Sequence, residues 1–386
     1  MAKNGYKVFD SDTHVGPDQD IIDRYAGQAA KDKLKEWAEF RVKSSRGHTH
    51  YTRGARSYRR RLGLAKPEAS MSKGYFAGFT GPDTTRKPGL NLDADVKGRL
   101  ADMDFEGVDV NFMLPSGPWG AFTEHPDVSV EMEMFRAYHR WLEDYCSAAP
   151  DRLGAAILAS GRDVKGSVEE IKKWGKSKWA WGVLPYAPYG MPLDHPDLEP
   201  IWAACEEYDL TISLHTFTAM PPYAPGGTDN WENMFLQRSA AHPWCGMRNM
   251  ASLIGSGIMD RYPKVRIATL EAGHGWLPFW LARIDEHAKT IKSALPPNLK
   301  HLPSEYAVNG RYFQSIEVPE GETLTNAVTS MLGDHLLMYA SDFPHAESHF
   351  PETVGLVLGW KNMQEDTKRK LLWDNCVKCY ARYPGK

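Results

Sequence analysis

The sequence predicts a (β/α)8 TIM barrel of the α/β class, formed by a single domain that spans residues 1–386. The first observation behind this prediction is a series of eight short runs, rich in apolar or β-branched residues, that have the length of strands. The second is that helix-like stretches lie between these runs, an alternation typical of parallel sheets. The third is the count, because eight strand–helix units favour a closed barrel over an open sheet.

The eight predicted strands share the same signature. Each is short, and each is bounded by glycine, proline or polar residues. In chain order they are Tyr6–Asp12, Val108–Leu114, Leu153–Ser160, Trp179–Ala187, Leu210–Thr216, Val265–Glu271, Tyr312–Val318 and Leu336–Asp342.

The predicted helices fill the intervals between the strands. Asp127–Ala148 has the clearest pattern, because Val130, Met134, Ala137 and Trp141 recur at spacings of three and four. The other predicted helices are Ala94–Glu106, Ser167–Trp174, Leu198–Tyr208, Met247–Arg261, Trp276–Ser293, Glu322–Met331 and Glu365–Tyr380.

Two long insertions are expected within the barrel. A barrel without insertions needs about 250 residues, and this chain has 386. The larger insertion, residues 17–92, follows the first strand and is predicted to form a cap; the second runs from Phe217 to Trp244, after strand five. Both follow strand C-termini, where the active sites of barrels lie, so we expect both to shape a pocket.

The composition limits the classes of partner. A net charge of −3 gives no electrostatic reason to expect nucleic acid or an anionic membrane. No run of 18 apolar residues suggests a transmembrane helix, and the N-terminus lacks the apolar core of a signal peptide. Five scattered cysteines do not suggest a disulfide framework. We therefore expect a cytoplasmic protein that acts on a small molecule, and a homodimer is compatible with the sequence.

Polar residues end the first predicted strand, which closes as Asp10-Ser11-Asp12-Thr13-His14. Side chains alternate along a strand, so Asp10, Asp12 and His14 should share one face. Burying them without partners would be costly, and a metal ion at the end of the strand would remove that cost. Asp10 lies deepest, and there we favour a structural role.

Three other predicted strands end in the same way. Strand five ends in His215, strand six in Glu271 and strand eight in Asp342. The ends of parallel strands meet at one mouth of a barrel, and strand eight adjoins strand one when the barrel closes. A single residue of this kind is weak evidence, but the joint pattern on strands one, five and eight predicts a metal site.

Several motifs carry a family resemblance along nearly the whole chain. The most distinctive are Glu-Ala-Gly-His-Gly-Trp-Leu-Pro at 271–278 and Ser-Asp-Phe-Pro-His at 341–345; further matching segments lie at 9–15, 99–109 and 213–215. With these motifs the chain resembles the amidohydrolase superfamily, in the branch related to aminocarboxymuconate-semialdehyde decarboxylase (amidohydrolase-related family 2).

The resemblance implies one divalent metal ion, held by Asp12, His14, His215 and Asp342. Asp12 stands where the family commonly has the first histidine of His-x-His. Zinc remains the expected metal, but a set of two imidazoles and two carboxylates also suits manganese or iron. Many members have a catalytic histidine at the end of strand six, where this chain has Glu271.

The resemblance also implies an enzyme, and hydrolysis of a small carboxylated cyclic or ring-cleavage-derived compound is the expected reaction. In this interpretation metal-activated water attacks the substrate and Asp342 or Glu271 carries the proton. His274, three residues after Glu271, would stabilise developing charge. Glu271 also has a structural alternative as a hydrogen-bond partner of a ligating histidine.

Four residues are candidates for substrate binding. Arg53 and Arg56 lie in the first insertion and could hold a carboxylate in a bidentate manner, although a solvated basic face is the commoner reason for such residues. Trp119 could line the pocket or simply pack, and His345 follows the Asp342 strand end.

Two alternative functions remain open on the sequence. The first keeps the fold and changes the reaction to non-oxidative, metal-dependent decarboxylation of an aromatic or unsaturated carboxylic acid, because the family includes such enzymes. The second is a non-catalytic barrel that binds a small molecule. The complete set of four ligand residues argues against the second alternative.

Overall fold

Eight parallel strands form the centre of this computed structural model. They are β1 (Phe9–Val15), β2 (Val110–Pro115), β3 (Leu153–Ser160), β4 (Ala180–Tyr186), β5 (Thr211–His215), β6 (Ile267–Leu270), β7 (Tyr312–Ser315) and β8 (Leu337–Met338). The residues that the structure describes are 3–43, 49–51, 95–115, 125–188, 190–216, 234–345 and 348–385.

The strands follow chain order around the sheet, and every neighbouring pair is parallel. Backbone hydrogen bonds also join β1 to the segment that follows β8. The Asp342 N–H donates to the Asp12 carbonyl at 3.0 Å, and the His14 N–H donates to the Phe343 carbonyl at 2.7 Å. The sheet therefore closes on itself, and the predicted barrel is confirmed.

The first strand begins and ends three residues later than predicted, so that it gains Thr13, His14 and Val15. Its register against β2 shifts between Asp10 and Thr13. All seven of its residues are buried. The polar residues at the end of this strand are thus buried in the barrel wall, where an ordinary core strand would carry apolar residues.

Helices surround the barrel. Those of the first insertion are α1 (Gln19–Ile22) and α2 (Gln28–Leu34), followed by a 3-10 turn at Lys35–Phe40 and a hairpin of Arg41–Lys43 with Thr49–Tyr51. The remaining helices are α3 (Val96–Glu106), α4 (Val128–Cys146), α5 (Val164–Trp174), α6 (Glu199–Glu207), α7 (Met234–Gly255), α8 (Ile258–Arg261), α9 (Leu277–Thr290), α10 (Pro303–Tyr306), α11 (Gly321–Leu332), α12 (Thr353–Leu358), α13 (Glu365–Arg369) and α14 (Asn375–Cys379).

The helix after β5 differs most from its prediction. The sequence predicts one helix over Met247–Arg261, whereas α7 begins at Met234 and α8 follows Gly257. Pro243 lies inside α7, and an internal proline normally argues against a helix because it lacks the N–H donor. Gly257 has a φ of +76°, and this left-handed residue separates the two helices.

Large aromatic side chains fill the lower part of the barrel. Phe9 of β1 stacks on Tyr380 with ring centroids 5.7 Å apart, and Tyr380 stacks on Phe112 at 4.1 Å. Gly154 gives room to Trp181, since a Cβ atom there would lie 2.1 Å from the indole ring. Among the described helices, none is both long and apolar enough to span a membrane.

Candidate metal centre

Four of the residues singled out in the sequence meet at the C-terminal mouth of the barrel. The His14 Nε2 atom lies 3.6 Å from Asp12 Oδ1 and 3.0 Å from Asp342 Oδ1. The His215 Nε2 atom lies 3.7 Å from Asp12 Oδ2. One ligand atom each from Asp12, His14 and His215 lies within 4.8 Å of the others. Ligand atoms of His14, Asp342 and His345 form a second group of the same size, so that His14 is shared by the two groups.

Backbone carbonyls orient both imidazoles of this cluster. His14 Nδ1 lies 3.2 Å from the Pro115 carbonyl, and His215 Nδ1 lies 2.6 Å from the Thr216 carbonyl. A carbonyl oxygen only accepts, so Nδ1 must carry the proton in each ring. In the neutral rings, Nε2 then presents a lone pair, which is the form that binds a metal ion.

The cluster contains acceptors that face other acceptors. Neither carboxylate oxygen of Asp12 has a hydrogen-bond partner among the described residues, although the side chain is 1% exposed. Burial, and then the neighbouring Asp342 and Glu271 carboxylates, raise the pKa of Asp12 well above its usual range. Buried lone pairs without donors are costly, and a cation between them would remove the cost. The donor set therefore fits a divalent metal ion.

Asp342 lies beside two histidines. His345 Nδ1 lies 2.8 Å from Asp342 Oδ1, and the His345 ring stacks on His14 with centroids 4.1 Å apart. Burial alone would raise the pKa of Asp342, but the adjacent His345 imidazole holds it well below the usual range. Asp342 has a φ of +59°, a left-handed conformation that aspartate tolerates better than most residues.

Glu271 lies between two imidazoles, just beyond the end of β6. Its Oε2 atom is 3.1 Å from His215 Nε2, and its Oε1 atom is 3.7 Å from His242 Nδ1. The side chain is 4% exposed, and the backbone has a φ of +47°. Glu271 thus borders the ligand cluster and adds an acceptor beside the unprotonated His215 Nε2, whereas a carboxylate that supports a ligating histidine would face its Nδ1–H.

The structure does not bring His274 into this cluster. Its Nδ1 atom lies 2.7 Å from Glu320 Oε2, and its Nε2 atom lies 2.9 Å from the Thr325 hydroxyl. Both ring nitrogens are therefore engaged on the side of α11. The sequence-based expectation that His274 stabilises charge at the site finds no geometric support.

Asp10 lies beneath the cluster and has a different environment. The Ser341 N–H donates to Asp10 Oδ1 at 2.9 Å, and the Ser341 hydroxyl lies 2.5 Å from Oδ2. Burial raises the pKa of Asp10 to about 8, with the Ser341 hydrogen bonds opposing this rise. The carboxyl binds the turn after β8 to β1, which agrees with the structural role favoured from the sequence.

This raised pKa gives a prediction for the metal-free protein. Protonated Asp10 is favoured by the fold, so its contribution to stability is complete below about pH 4 and is lost as the pH rises towards 8. In the wild-type protein, ionisation of Asp10 should lower the free energy of unfolding by about 2 kcal/mol between pH 5 and 7. We expect Asp10→Asn, whose side chain stays neutral, to lack this decrease. Denaturant titrations at several pH values measure this, with Asp197→Asn on the surface as control. An unchanged pH dependence in Asp10→Asn would contradict the assignment.

The sequence reasoning missed one charged neighbour of the site and undervalued another. Glu317 follows β7, and its charge contributes to the raised pKa of Asp12; an acidic residue at a strand end was the available signal. The sequence allows His242 either to line the pocket or to pack, and its approach to Glu271 depends on the path of α7. The candidates Arg53, Arg56 and Trp119 lie outside the described residues.

The chain shows similarity to characterised enzymes. A model of the amidohydrolase family matches residues 47–382. The chain is 27% identical over 202 residues to 2-amino-3-carboxymuconate-6-semialdehyde decarboxylase of Dictyostelium discoideum, a match that covers 51% of this chain and 52% of that protein. It thus spans about half the length of that relative. Gamma-resorcylate decarboxylase of a Polaromonas species is 26% identical over 298 residues, which cover 72% of this chain and 84% of that protein.

The fold also has a close counterpart among solved structures. The crystal structure of 5-carboxyvanillate decarboxylase from Novosphingobium aromaticivorans, complexed with manganese and 4-hydroxy-3-methoxy-5-nitrobenzoic acid, gives a TM-score of 0.70. The match covers 98% of this chain and 97% of that chain at 21% identity. At this identity the similarity establishes a common fold and, taken alone, nothing about the reaction.

Proposed function

Because the chain belongs to the amidohydrolase family, whose model matches residues 47–382, we propose that it is a metal-dependent, non-oxidative decarboxylase of an aromatic or unsaturated carboxylic acid. The observation that carries the proposal is the buried group of Asp12, His14 and His215, in which both Asp12 carboxylate oxygens lack a hydrogen-bond partner among the described residues, with Asp342 in contact with His14 at 3.0 Å. The two curated relatives, both decarboxylases, supply the reaction class. Motifs alone favoured hydrolysis, and the relatives support the decarboxylase alternative better.

The four clustered residues are assigned as metal ligands. When bound, the ion would supply positive charge that holds the substrate carboxylate and a neighbouring oxygen and stabilises charge that develops in the ring. Asp342 remains ionised beside His345, so we assign it as the base that takes the hydroxyl proton of a phenolic substrate. The role in charge stabilisation that the motif suggests for His274 is not part of this proposal.

The identity of the metal follows from the ligand set. Two carboxylates and two imidazoles are harder than a set of three histidines, which shifts the preference from zinc towards manganese. The structural relative from Novosphingobium was solved with manganese. We therefore propose manganese as the working metal, with zinc and iron as competitors for the same ligands.

The substrate would lie over the cluster at the mouth of the barrel. His345, which is 25% exposed on its side chain, is placed to contact it. We further propose that the insertion 17–92 acts as a cap, and that Arg53, Arg56 and Trp119 contribute from it and from the loop after β2. A bidentate arginine would recognise a carboxylate or phenolate of the substrate.

The reaction class can be tested on the purified protein. We expect manganese-loaded protein to release carbon dioxide from hydroxybenzoic acids that carry a hydroxyl beside the carboxylate, without incorporation of oxygen from ¹⁸O-labelled water. Removal of the metal with a chelator should abolish the release, and added manganese should restore it. Carbon dioxide is quantified by a coupled assay, and ¹⁸O by mass spectrometry of the product.

Two outcomes would contradict the proposal. Incorporation of labelled oxygen into the product would identify hydrolysis, the reaction that the motifs alone favoured. Failure to bind any divalent ion would leave the third interpretation, a barrel that binds a small molecule without catalysis.

A further inference from the structure

The residue His14 belongs to both groups of possible metal ligands at the barrel mouth. The first group joins it to Asp12 and His215, and the second joins it to Asp342 and His345. The proposed centre takes its ligands from the first group and adds Asp342. It leaves His345, the remaining member of the second group, without a role towards the ion.

A tight turn brings His345 back towards the cluster. The His345 N–H donates to the Asp342 carbonyl at 2.9 Å, and the His345 ring stacks on His14 with an interplanar angle of 27°. Asp342 Oδ1 lies 2.8 Å from His345 Nδ1 and 3.0 Å from His14 Nε2. Ligand atoms that bind one divalent ion at about 2.1 Å and at right angles are about 3.0 Å apart. The two distances therefore suit neighbouring ligands of one ion.

The two groups differ in how far they are buried. The side chains of Asp12 and His14 are 1% and 3% exposed, and that of His215 is 8% exposed, whereas His345 is 25% exposed. Removing an ion from water is costly unless protein atoms replace the water molecules as it enters. A group with one accessible ligand and two buried ones is suited to the first of these replacements.

The inner part of the second group has atoms ready to receive a cation. Among the described residues, neither His14 Nε2 nor Asp342 Oδ2 has a hydrogen-bond partner. The proton of the His14 ring is on Nδ1, which lies 3.2 Å from the Pro115 carbonyl, so Nε2 offers the only lone pair of the ring. One lone pair binds one ion at a time. The two groups therefore correspond to successive positions of a single ion.

We propose that His345 is a transient metal ligand, which together with His14 and Asp342 receives the incoming divalent ion and passes it to the buried centre. The inference rests on the metal centre of the proposed function. His14 and Asp342 bind the ion throughout the transfer, while Asp12 and His215 replace His345. The His345 imidazole is then released from the ion and can contact the substrate at the barrel mouth.

The test measures the binding of manganese alone, without substrate. Stopped flow with a fluorescent indicator of free manganese gives the rates, and the paramagnetic resonance signal of the hydrated ion gives the affinity. His345→Asn keeps an N–H donor for Asp342 and removes the imidazole. A group that binds the ion only during the transfer affects entry and exit equally. We therefore expect the association and dissociation rate constants to fall together by about tenfold, with a Kd within about twofold of wild type.

The matched control is His349→Asn, the same substitution in the same segment. His349 belongs to neither ligand group, and its φ of +52° is one that asparagine tolerates. This variant should bind manganese with wild-type rate constants. The wild-type protein should bind one ion per chain.

Three results would overturn the proposal. A wild-type association rate in His345→Asn would remove the entry role. A weaker Kd with an unchanged association rate constant would make His345 a permanent ligand. Two ions per wild-type chain would show that both positions fill together.

Failure of the proposed function gives a different result. A protein that binds one manganese ion but releases no carbon dioxide would refute the decarboxylase activity, and the binding rates would still decide the role of His345. A wild-type protein that binds no manganese would refute both.

Discussion

His215→Ala should lose metal and activity together. His215 is fixed by the Thr216 carbonyl at 2.6 Å and directs Nε2 towards Asp12 and Glu271. Its removal leaves three of the four proposed ligands. We expect a loss of metal affinity greater than the ~10–100-fold that follows loss of a residue only hydrogen-bonded to a ligand. Elemental analysis after dialysis and the carbon dioxide assay measure the two effects.

The matched control is His287→Ala, which removes an imidazole that is 47% exposed on α9. It should keep full metal content and wild-type activity. Retention of stoichiometric metal and full activity in His215→Ala would refute the ligand assignment. Loss of activity with retained metal would instead place His215 beside the substrate.

Asp342→Asn should separate the charge of this residue from its shape. Asparagine adopts the φ of +59° found here at little cost, and its carbonyl oxygen can still accept from His345. Only the negative charge is lost. We therefore expect metal affinity to fall by at least ~100-fold, with a melting temperature close to that of the wild-type protein. Isothermal titration with manganese and thermal unfolding of the metal-free protein test the two parts.

A second substitution at the same position shows the contribution of the backbone. Asp342→Ala should lose the same affinity and also about 1–2 kcal/mol of stability, because alanine is strained at a positive φ. Wild-type affinity for manganese in Asp342→Asn would show that the ion lies elsewhere. Equal melting temperatures for the Asn and Ala variants would contradict the strain argument but would leave the ligand assignment of Asp342 unaffected.

The barrel was predictable because its signals are local. The apolar strands and the helix Asp127–Ala148 follow from periodicities of two and three to four residues, and the structure places α4 at Val128–Cys146. The helix α7 was not predictable in the same way. Pro243 breaks the local pattern, and the close approach of Gly246 to Ala272 shows that this helix packs against the end of β6.

The residues of the candidate site also differ in whether the sequence can predict their positions. Asp12, His14 and His215 lie on strands of one parallel barrel and Asp342 follows β8, so the topology brings these residues to one mouth. The contact of Glu271 with His242 depends on how a helix docks on a strand end, and no spacing in the sequence encodes that distance. The same applies to His274, where side-chain direction after a left-handed Gly273 decides the outcome.

The backbone hydrogen bonds that join β1 to the segment after β8 also determine when the proposed metal centre can form. Asp12 and Asp342 are neighbours through the Asp342 N–H bond to the Asp12 carbonyl, yet they stand near opposite ends of the chain. Synthesis proceeds from the N-terminus, so a nascent chain still on the ribosome holds Asp12, His14 and His215 long before it contains the fourth ligand. The proposed four-ligand centre can therefore form only after synthesis has passed Asp342.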